Sequence, residues 1–339
     1  MRIALRRRSN TSILRQTPRE YVRDRIRRGT NGLAETEVRL KGNYSFRPIT
    51  DKASFSLKLS PAAQKEFGGH KRLLLNNSLQ DSSYMRCKLA SEMFLKAGLP
   101  TARVSFASVT LNGRALGLYL LVEGTDEGFL RTHFGSADGN LYEGADQDIS
   151  APLEIDSSPS RTDRSDLQAL LNTCLIEDLS TCWRKLGQIL DISHFASFMA
   201  MELLIAHKDG YCMDLNNYRL YHDTESGKFI FIAHGMDFTL DNPVLKQDRA
   251  WKGVVAKAFI DTPEGRRLFK QRVAELGSRF YGDKQLLSRR VDELWRLIAP
   301  AIADAAEKEN VLAAVRELQS ILRARAASLP RYIAALEGK

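Results

Sequence analysis

The stretch from Glu202 to Asn242 limits what this chain can become more than any other. It reads ELLIAHKDGYCMDLNNYRLYHDTESGKFIFIAHGMDFTLDN. An apolar helical run, FASFMAMELLIAH, enters a polar loop that holds Asp209, Asp214, Asn216 and Asn217. Two apolar-rich runs, YRLYHD and KFIFIAHGMD, then flank Thr224, Glu225, Ser226 and Gly227, which is the turn chemistry of a β-hairpin. Asp209 and Asn217 precede the hairpin and Asp237 closes it, so the hairpin returns all three to one mouth. Oxygen donors gathered on such loops suit a hard cation such as Mg²⁺, above all when phosphates complete its shell. Asp191 is placed to cap the helix that delivers His207 and Asp209.

The remaining sequence supplies a scaffold for that stretch. EVRLKGNYSF and KASFSLKLS alternate at strand period, with Phe55, Leu57 and Leu59 on one face and Ser54, Ser56 and Lys58 on the other. Lys41-Gly42-Asn43 reads as the turn after the first of them. Asp81 is placed to cap a helix carrying Met85, Leu89, Met93 and Phe94 at helical spacing, and Gly98 and Pro100 end it. ARVSFASVTL and LGLYLLVEG meet at Asn112-Gly113, a strong hairpin signal, and Glu123 closes the second strand. A polar, Pro- and Ser-rich insertion covers about 147–165, and beyond Asp237 the pattern is almost wholly helical. The expected fold is therefore α+β in two lobes: a small antiparallel β lobe with one helix over residues 31–123, and a larger, mainly helical lobe over 124–339.

Charge and cysteine usage bound the partners. Of the formal net charge of +9, much falls early: Arg6, Arg7, Arg8, Arg15, Arg19, Arg23, Arg25, Arg27 and Arg28 give residues 1–30 the character of a basic amino-terminal arm. Only Tyr21 supplies an aromatic there and no nucleic-acid-binding motif follows, which argues against a nucleic-acid partner. Cys87, Cys174, Cys182 and Cys212 lack zinc or disulfide spacing and read as buried thiols. No apolar run reaches the roughly 18 residues of a membrane span, and no signal peptide is evident, so a cytoplasmic location is expected. Oligomeric state is not readable.

The same residues carry a resemblance. His207-Lys208-Asp209 and Asp237-Phe238-Thr239, separated by a hairpin, resemble the catalytic-loop and metal-loop motifs of protein kinases. The kinase asparagine follows its Asp by five positions; here that position is Asp214, and the asparagines come later. More broadly, RLKGN, SFSLKL, KRLLLNN with DSSYMR, LNGRALGLYLLVEGTDEGFL, GNLYEG, LDISHFASFMAMELLIAHKDGY, NNYRLY and IAHGMD occur in the order seen in the CotH kinase family, which resembles this chain from about Val38 to Asn242.

That resemblance implies an atypical protein kinase fold that uses ATP with Mg²⁺ or Mn²⁺ to phosphorylate Ser or Thr of a protein substrate. It implies Asp209 as the catalytic base and Asn217 and Asp237 as metal ligands, with Lys41, Lys58, Arg86 and Glu123 near the nucleotide. Asp214 is the reserve metal candidate. Many relatives carry D-x-D where this chain has Gly235-Met236-Asp237, which leaves one fewer charge for a second metal ion. Three other readings stay open: a pseudokinase scaffold that binds nucleotide without catalysis, an AMP transferase on the same architecture, and a metal-dependent nucleic-acid enzyme.

Overall fold

A computed structural model describes residues 1–6, 17–42, 45–157, 162–245 and 250–337. Arg7, Arg8, Arg15, Asn43 and residues 158–161 of the polar insertion lie outside the described residues. The chain divides into two compact units. One comprises Met1–Lys88, Ala102–Leu130 and Asp292–Val315; the other comprises Leu89–Thr101, Arg131–Val291 and Arg316–Lys339.

The first unit corrects the expected fold. Its strands are β1 (Arg2–Arg6), β2 (Val22–Arg28), β3 (Ala34–Lys41), β4 (Ser54–Leu59), β5 (Arg72–Asn76), β6 (Val104–Leu111) and β7 (Arg114–Glu123). They form a closed barrel in the order β1-β2-β3-β4-β5-β7-β6, not a small antiparallel lobe of the kinase type. The seam is parallel, with Arg2 opposite Ser108 and Leu5 opposite Leu111, while the other pairings are antiparallel.

The strands that make the difference come from residues 1–30. In β1 and β2, Ile3, Leu5 and Ile26 point into the core and are almost fully buried. Each such side chain contributes about 1.5–3 kcal/mol when removed from water. Alternation then sends Arg23, Arg25 and Arg27 to the outer face. With so few inward apolar positions, the period-two signal is drowned by the charges between them. Closure also removes the exposed edges that an open sheet would leave.

Elsewhere in this barrel the local chemistry is that expected. Phe55, Leu57 and Leu59 of β4 face the core, although Ser54 and Ser56 are buried as well and only Lys58 is exposed. Asn112 and Gly113 adopt φ of 50° and 85°, the left-handed pair that a tight β6–β7 turn demands. Helix α1 (Pro61–Glu66) follows Ser60, whose hydroxyl accepts from Ala63 N, and α2 (Arg86–Lys96) follows the Asp81 turn. Next come α3 (Glu127–Phe134), α4 (Ser165–Cys174) and α5 (Leu179–Ile189).

The second unit holds a four-stranded sheet in the order β11-β10-β8-β9, built from β8 (Asn140–Gly144), β9 (Glu154–Ser157), β10 (Tyr218–Asp223) and β11 (Lys228–Ala233). The β10–β11 hairpin runs from Tyr218 opposite Ala233 to Asp223 opposite Lys228. Its central helix, α6 (Ile192–Ile205), starts at Asp191, whose carboxylate accepts from His194 N at 2.9 Å. Phe195 and Phe198 pack on Phe231 of β11, with ring centres 4.8 and 5.6 Å apart. Around it lie α7 (Tyr211–Asp214), α8 (Val254–Asp261) and α9 (Pro263–Tyr281), while α10 (Leu286–Ile298) and α11 (Ala305–Glu337) are each divided between the two units. All four cysteines are free. Among the described residues no helix is long and apolar enough to cross a membrane.

The carboxy-terminal end of α6 is capped from a distance. Arg325 of α11, 1% exposed, donates from Nη2 to Leu204 O at 2.6 Å and Leu203 O at 3.2 Å, and from Nη1 to Asn242 O at 2.7 Å. Tyr281 OH donates to Leu204 O at 2.7 Å. A buried guanidinium thus satisfies carbonyls that the helix cannot satisfy itself. Replacing it as Arg325→Met takes a charged donor from Asn242 O and leaves Leu203 O and Leu204 O with Ala206 N and Tyr281 OH, and hydrogen bonds from a charged donor are worth about 1.5–3 kcal/mol each. Urea denaturation of Arg325→Met is expected to show a loss of at least about 3 kcal/mol; a loss below about 1 kcal/mol would refute the capping role.

Candidate active site

The site grows out of the end of α6. Ala206 takes a left-handed conformation, φ 54° and ψ 51°, and turns the chain so that His207 N bonds back to Glu202 O at 2.8 Å. His207, Lys208, Asp209 and Gly210 follow, and Gly210 leads into α7. The first amides of α7 point back at α6: Tyr211 N and Cys212 N donate to Oε1 and Oε2 of Glu202 at 3.0 and 2.9 Å. Glu202 is wholly buried. A carboxylate without water needs such donors, and they fix the loop against the helix.

Gly210 is the residue that lets the loop pass. A Cβ there would lie 2.3 Å from Glu202 Oε1 and 2.7 Å from His207 Nδ1. Neither neighbour can retreat, because both are fully buried.

Three charged side chains then stand in line. His207 Nδ1 lies 3.5 Å from Glu202 Oε1, and His207 Nε2 lies 3.5 Å from Asp209 Oδ1. These separations are too long for strong hydrogen bonds, so the attraction is mainly electrostatic. Burial works against the charged imidazole, but Glu202, Asp209 and Asp237 together hold the His207 pKa above its ordinary value. Burial also pushes the Asp209 carboxyl up, and Asp237 and Glu202 add to that push while His207 opposes it.

Asn217 completes the group. It is left-handed at φ 50°, its O accepts from His234 N at 2.9 Å, and its Nδ2 donates to Asp209 Oδ2 at 2.6 Å. Asp209 Oδ1 has no hydrogen-bond partner among the described residues, although it is buried at the atom level. Asp237 follows β11 and lies within electrostatic reach of both Asp209 and His207. The loop beyond it is tied down by Thr239 Oγ1 to Met236 O at 2.9 Å and Leu240 N to Ile205 O at 2.6 Å. Lys208 Nζ bonds Asp241 Oδ2 at 2.7 Å, a second link between the two loops.

The structure therefore brings Asp209, Asn217 and Asp237 together. Asp214 is elsewhere: it ends α7 in a partly exposed ion pair with Lys252. Among the described residues no three His, Cys, Asp or Glu side chains cluster as a ready metal cage. What Asp209, Asn217 and Asp237 offer is two carboxylates and one amide, all oxygen donors of the kind that hard cations accept.

The other named residues belong to the first unit and are scattered within it. Lys41 ends β3 opposite Ser54, half-buried. Lys58 is exposed on the outside of the barrel, its Nζ 4.0 Å from the Tyr21 ring centre. Arg86 opens α2, where its N–H donates to Asp81 Oδ2 at 2.8 Å and its Nε lies 3.5 Å from Asp81 Oδ1. Glu123 ends β7, is 3% exposed, and accepts from Arg103 N, Nε and Nη2 at 3.0, 3.0 and 2.9 Å. Glu92 of α2 belongs to the second unit and forms a two-pronged pair with Arg290 at 2.8 and 2.7 Å.

Two residues escaped sequence reading. Glu202 was visible as a lone carboxylate inside an apolar helix, and that oddity was the available signal. Lys52 had none: it is about three-quarters withdrawn from water in a loop before β4, 4.9 Å from the Tyr84 ring centre and 3.7 Å from Glu307 Oε1. Burial lowers its pKa, against the opposing pull of Glu307.

Comparison with known proteins finds a family match over residues 38–329, described as CotH kinase protein. The inner spore coat protein H of Bacillus subtilis (strain 168) is 26% identical over 250 residues, covering 67% of this chain and 68% of that protein. Invasin CotH2 of Rhizopus delemar is 21% identical over 271 residues, covering 70% of this chain but 46% of the fungal protein.

A pH test follows from the buried imidazole. The His207 pKa is raised above the ordinary 6.5, so its charge stabilises the fold fully below pH about 6.5 and that contribution fades as pH rises through the folded value. Denaturation of the wild type and His207→Gln between pH 5.5 and about 9 is expected to show the largest difference at the acid end. A gap that widens with pH would overturn this.

Proposed function

The chain belongs to the CotH kinase protein family, and we propose that it is a phosphotransferase that moves the γ-phosphoryl group of ATP to a Ser or Thr hydroxyl of a protein. The observation that carries this reading is the Asp209 carboxylate. One of its oxygens is held by Asn217 and the other is buried, faces His207 and lacks a hydrogen-bond partner among the described residues. An acceptor so positioned suits the role of orienting an incoming hydroxyl and taking its proton.

Asp237, with the amide oxygen of Asn217, would hold Mg²⁺ or Mn²⁺, and such an ion would supply neutralisation of phosphate charge when bound. The fit rests on the donor set: Asn217 turns its Nδ2 to Asp209 and leaves its oxygen as an acceptor. Lys208 Nζ on Asp241 Oδ2 ties the loop that carries Asp209 to the loop beyond Asp237. His207 faces Asp209 from behind and, charged, opposes the upward push that burial gives its carboxyl. Lys41, Lys58, Arg86 and Glu123 are proposed as nucleotide contacts on the family resemblance alone.

A second reading has one observation behind it. Gly235 stands where many relatives carry an acid, and its φ of +54° with Asn217 Oδ1 2.2 Å from a built Cβ keeps any side chain out. With two carboxylates rather than three, nucleotide binding without transfer is the alternative.

The test uses ATP labelled at the γ or the α phosphate with Mg²⁺, the chain itself and casein-like proteins as acceptors. Transfer of γ label is expected from the wild type, with a fall of at least about 100-fold in Asp209→Ala and Asp237→Ala. Transfer of α label would mean AMP transfer by the same groups. Nucleotide-dependent thermal stabilisation with no label moved would favour the binding-only reading.

A further inference from the structure

The barrel of the first unit has an open end that carries its own chemistry. A cavity of about 280 Å³ is lined by the apolar Phe67, Leu73 and Leu121, with polar groups from Arg28, His70, Arg103, Ser105 and Glu123; the Met1 ammonium, spent on Phe106 O at 3.0 Å, borders it just before β1. These residues sit at the ends of β2, β5, β6 and β7 and in the loop after α1, which together form one mouth. Leu73 pairs with Glu123 in the β5–β7 register, and Leu73 and Leu121 belong to the barrel core. Glu123 therefore points to the inside of the barrel at its rim.

The balance of charge at the rim decides what could enter. Glu123 is consumed within the wall: Arg103 gives it three hydrogen bonds, and His70 Nδ1 lies 3.3 Å away. Burial disfavours its charge, but these partners hold the carboxyl below its usual pKa, so it is a stable internal anion already matched by Arg103. Arg28 has no such match. It spends one N–H donor on Glu66 O at 2.6 Å, and among the described residues no carboxylate pairs with it. An arginine has five donors in a planar fork suited to carboxylate or phosphate oxygens. The outer part of Arg103, 54% exposed at its side chain, faces the same space.

Size excludes a large guest. Sites for drug-sized ligands run from roughly 300 to 1,000 Å³, and this cavity lies just below that range, too small to enclose a nucleotide. Barrel mouths are nonetheless among the places where small molecules bind, when apolar walls are combined with a few convergent polar groups.

We propose that this mouth is a binding site for a small amphipathic anion, with its carboxylate or phosphate head on Arg28 and the outer edge of Arg103, and its short apolar body against Phe67, Leu73 and Leu121. The site uses none of Asp209, Asn217 and Asp237 and does not depend on their activity; Glu123, a nucleotide contact by family resemblance, is here spent on Arg103. Glu123 is a positioning residue in it, holding the Arg103 guanidinium by its Nε–Nη2 edge.

The experiment is calorimetric titration of the full chain with sodium hexanoate, hexyl phosphate and 1-hexanol, alongside thermal unfolding with and without ATP and Mg²⁺. Hexanoate or hexyl phosphate is expected to bind and 1-hexanol not to; which head binds more tightly identifies the carboxylate or phosphate source. Arg28→Gln, an exposed substitution, is expected to weaken binding at least about tenfold. Ser105→Trp, exposed at the rim, should block it. Neither variant should alter the ATP-dependent thermal shift. Equal affinity for 1-hexanol, an unchanged Arg28→Gln, or no heat from either anion at millimolar concentration overturns the proposal. A missing ATP shift with intact hexanoate binding would instead count against the phosphotransferase reading alone.

Discussion

A fully buried carboxylate, Glu202, is the constraint on which the loop carrying Asp209 depends. Its position within α6 removes it from water, and an isolated charge there would cost several kcal/mol. Two backbone amides and an imidazole answer it, and each answer places something downstream. The amides fix the start of α7, so the loop from Ala206 to Gly210 has both ends determined. The imidazole fixes His207, and through its other nitrogen His207 faces Asp209. Removing Glu202 would therefore not delete a contact of Asp209; it would release the loop that presents it.

The loop is also strained where it is most constrained. Ala206, Leu215, Asn217 and Leu240 all adopt positive φ without being glycine, and they surround Asp209 and Asp237 in sequence. Such conformations cost of order 1–3 kcal/mol each and persist only where the surroundings over-determine them. Arg325 is part of what over-determines them, since it binds the last carbonyls of α6 and the O of Asn242, the residue that follows the strained Leu240 loop. The closing helix thus clamps both the loop that enters the hairpin and the one that leaves it.

Legibility in the sequence followed the range of the interaction. The β10–β11 hairpin, the Asn112-Gly113 turn and the Asp191 cap rest on neighbouring residues, and they were readable. The meeting of Asp209, Asn217 and Asp237 was readable too, because a hairpin fixes which ends come together. Barrel closure was not. It depends on Ile3 and Leu5 finding β6 across about a hundred residues, and their signal is masked by arginines at the alternate positions. Lys52 with Glu307 and Arg325 with Leu204 are equally remote pairs, and neither has a local signature.

The Gly235 position gains meaning from the same geometry. A side chain there would meet Asn217 Oδ1 at 2.2 Å, and the left-handed backbone at 235 disfavours one in any case. Asn217 can therefore turn its amide toward Asp209 only because residue 235 has no Cβ. A carboxylate at 235 would both displace that amide and add a third negative charge beside Asp209 and Asp237, whose proximity already pushes Asp209 up. Glycine at 235 and the Asn217–Asp209 hydrogen bond are thus one structural choice: without a charge at 235, Asp209 has a fixed orientation and a neutral donor.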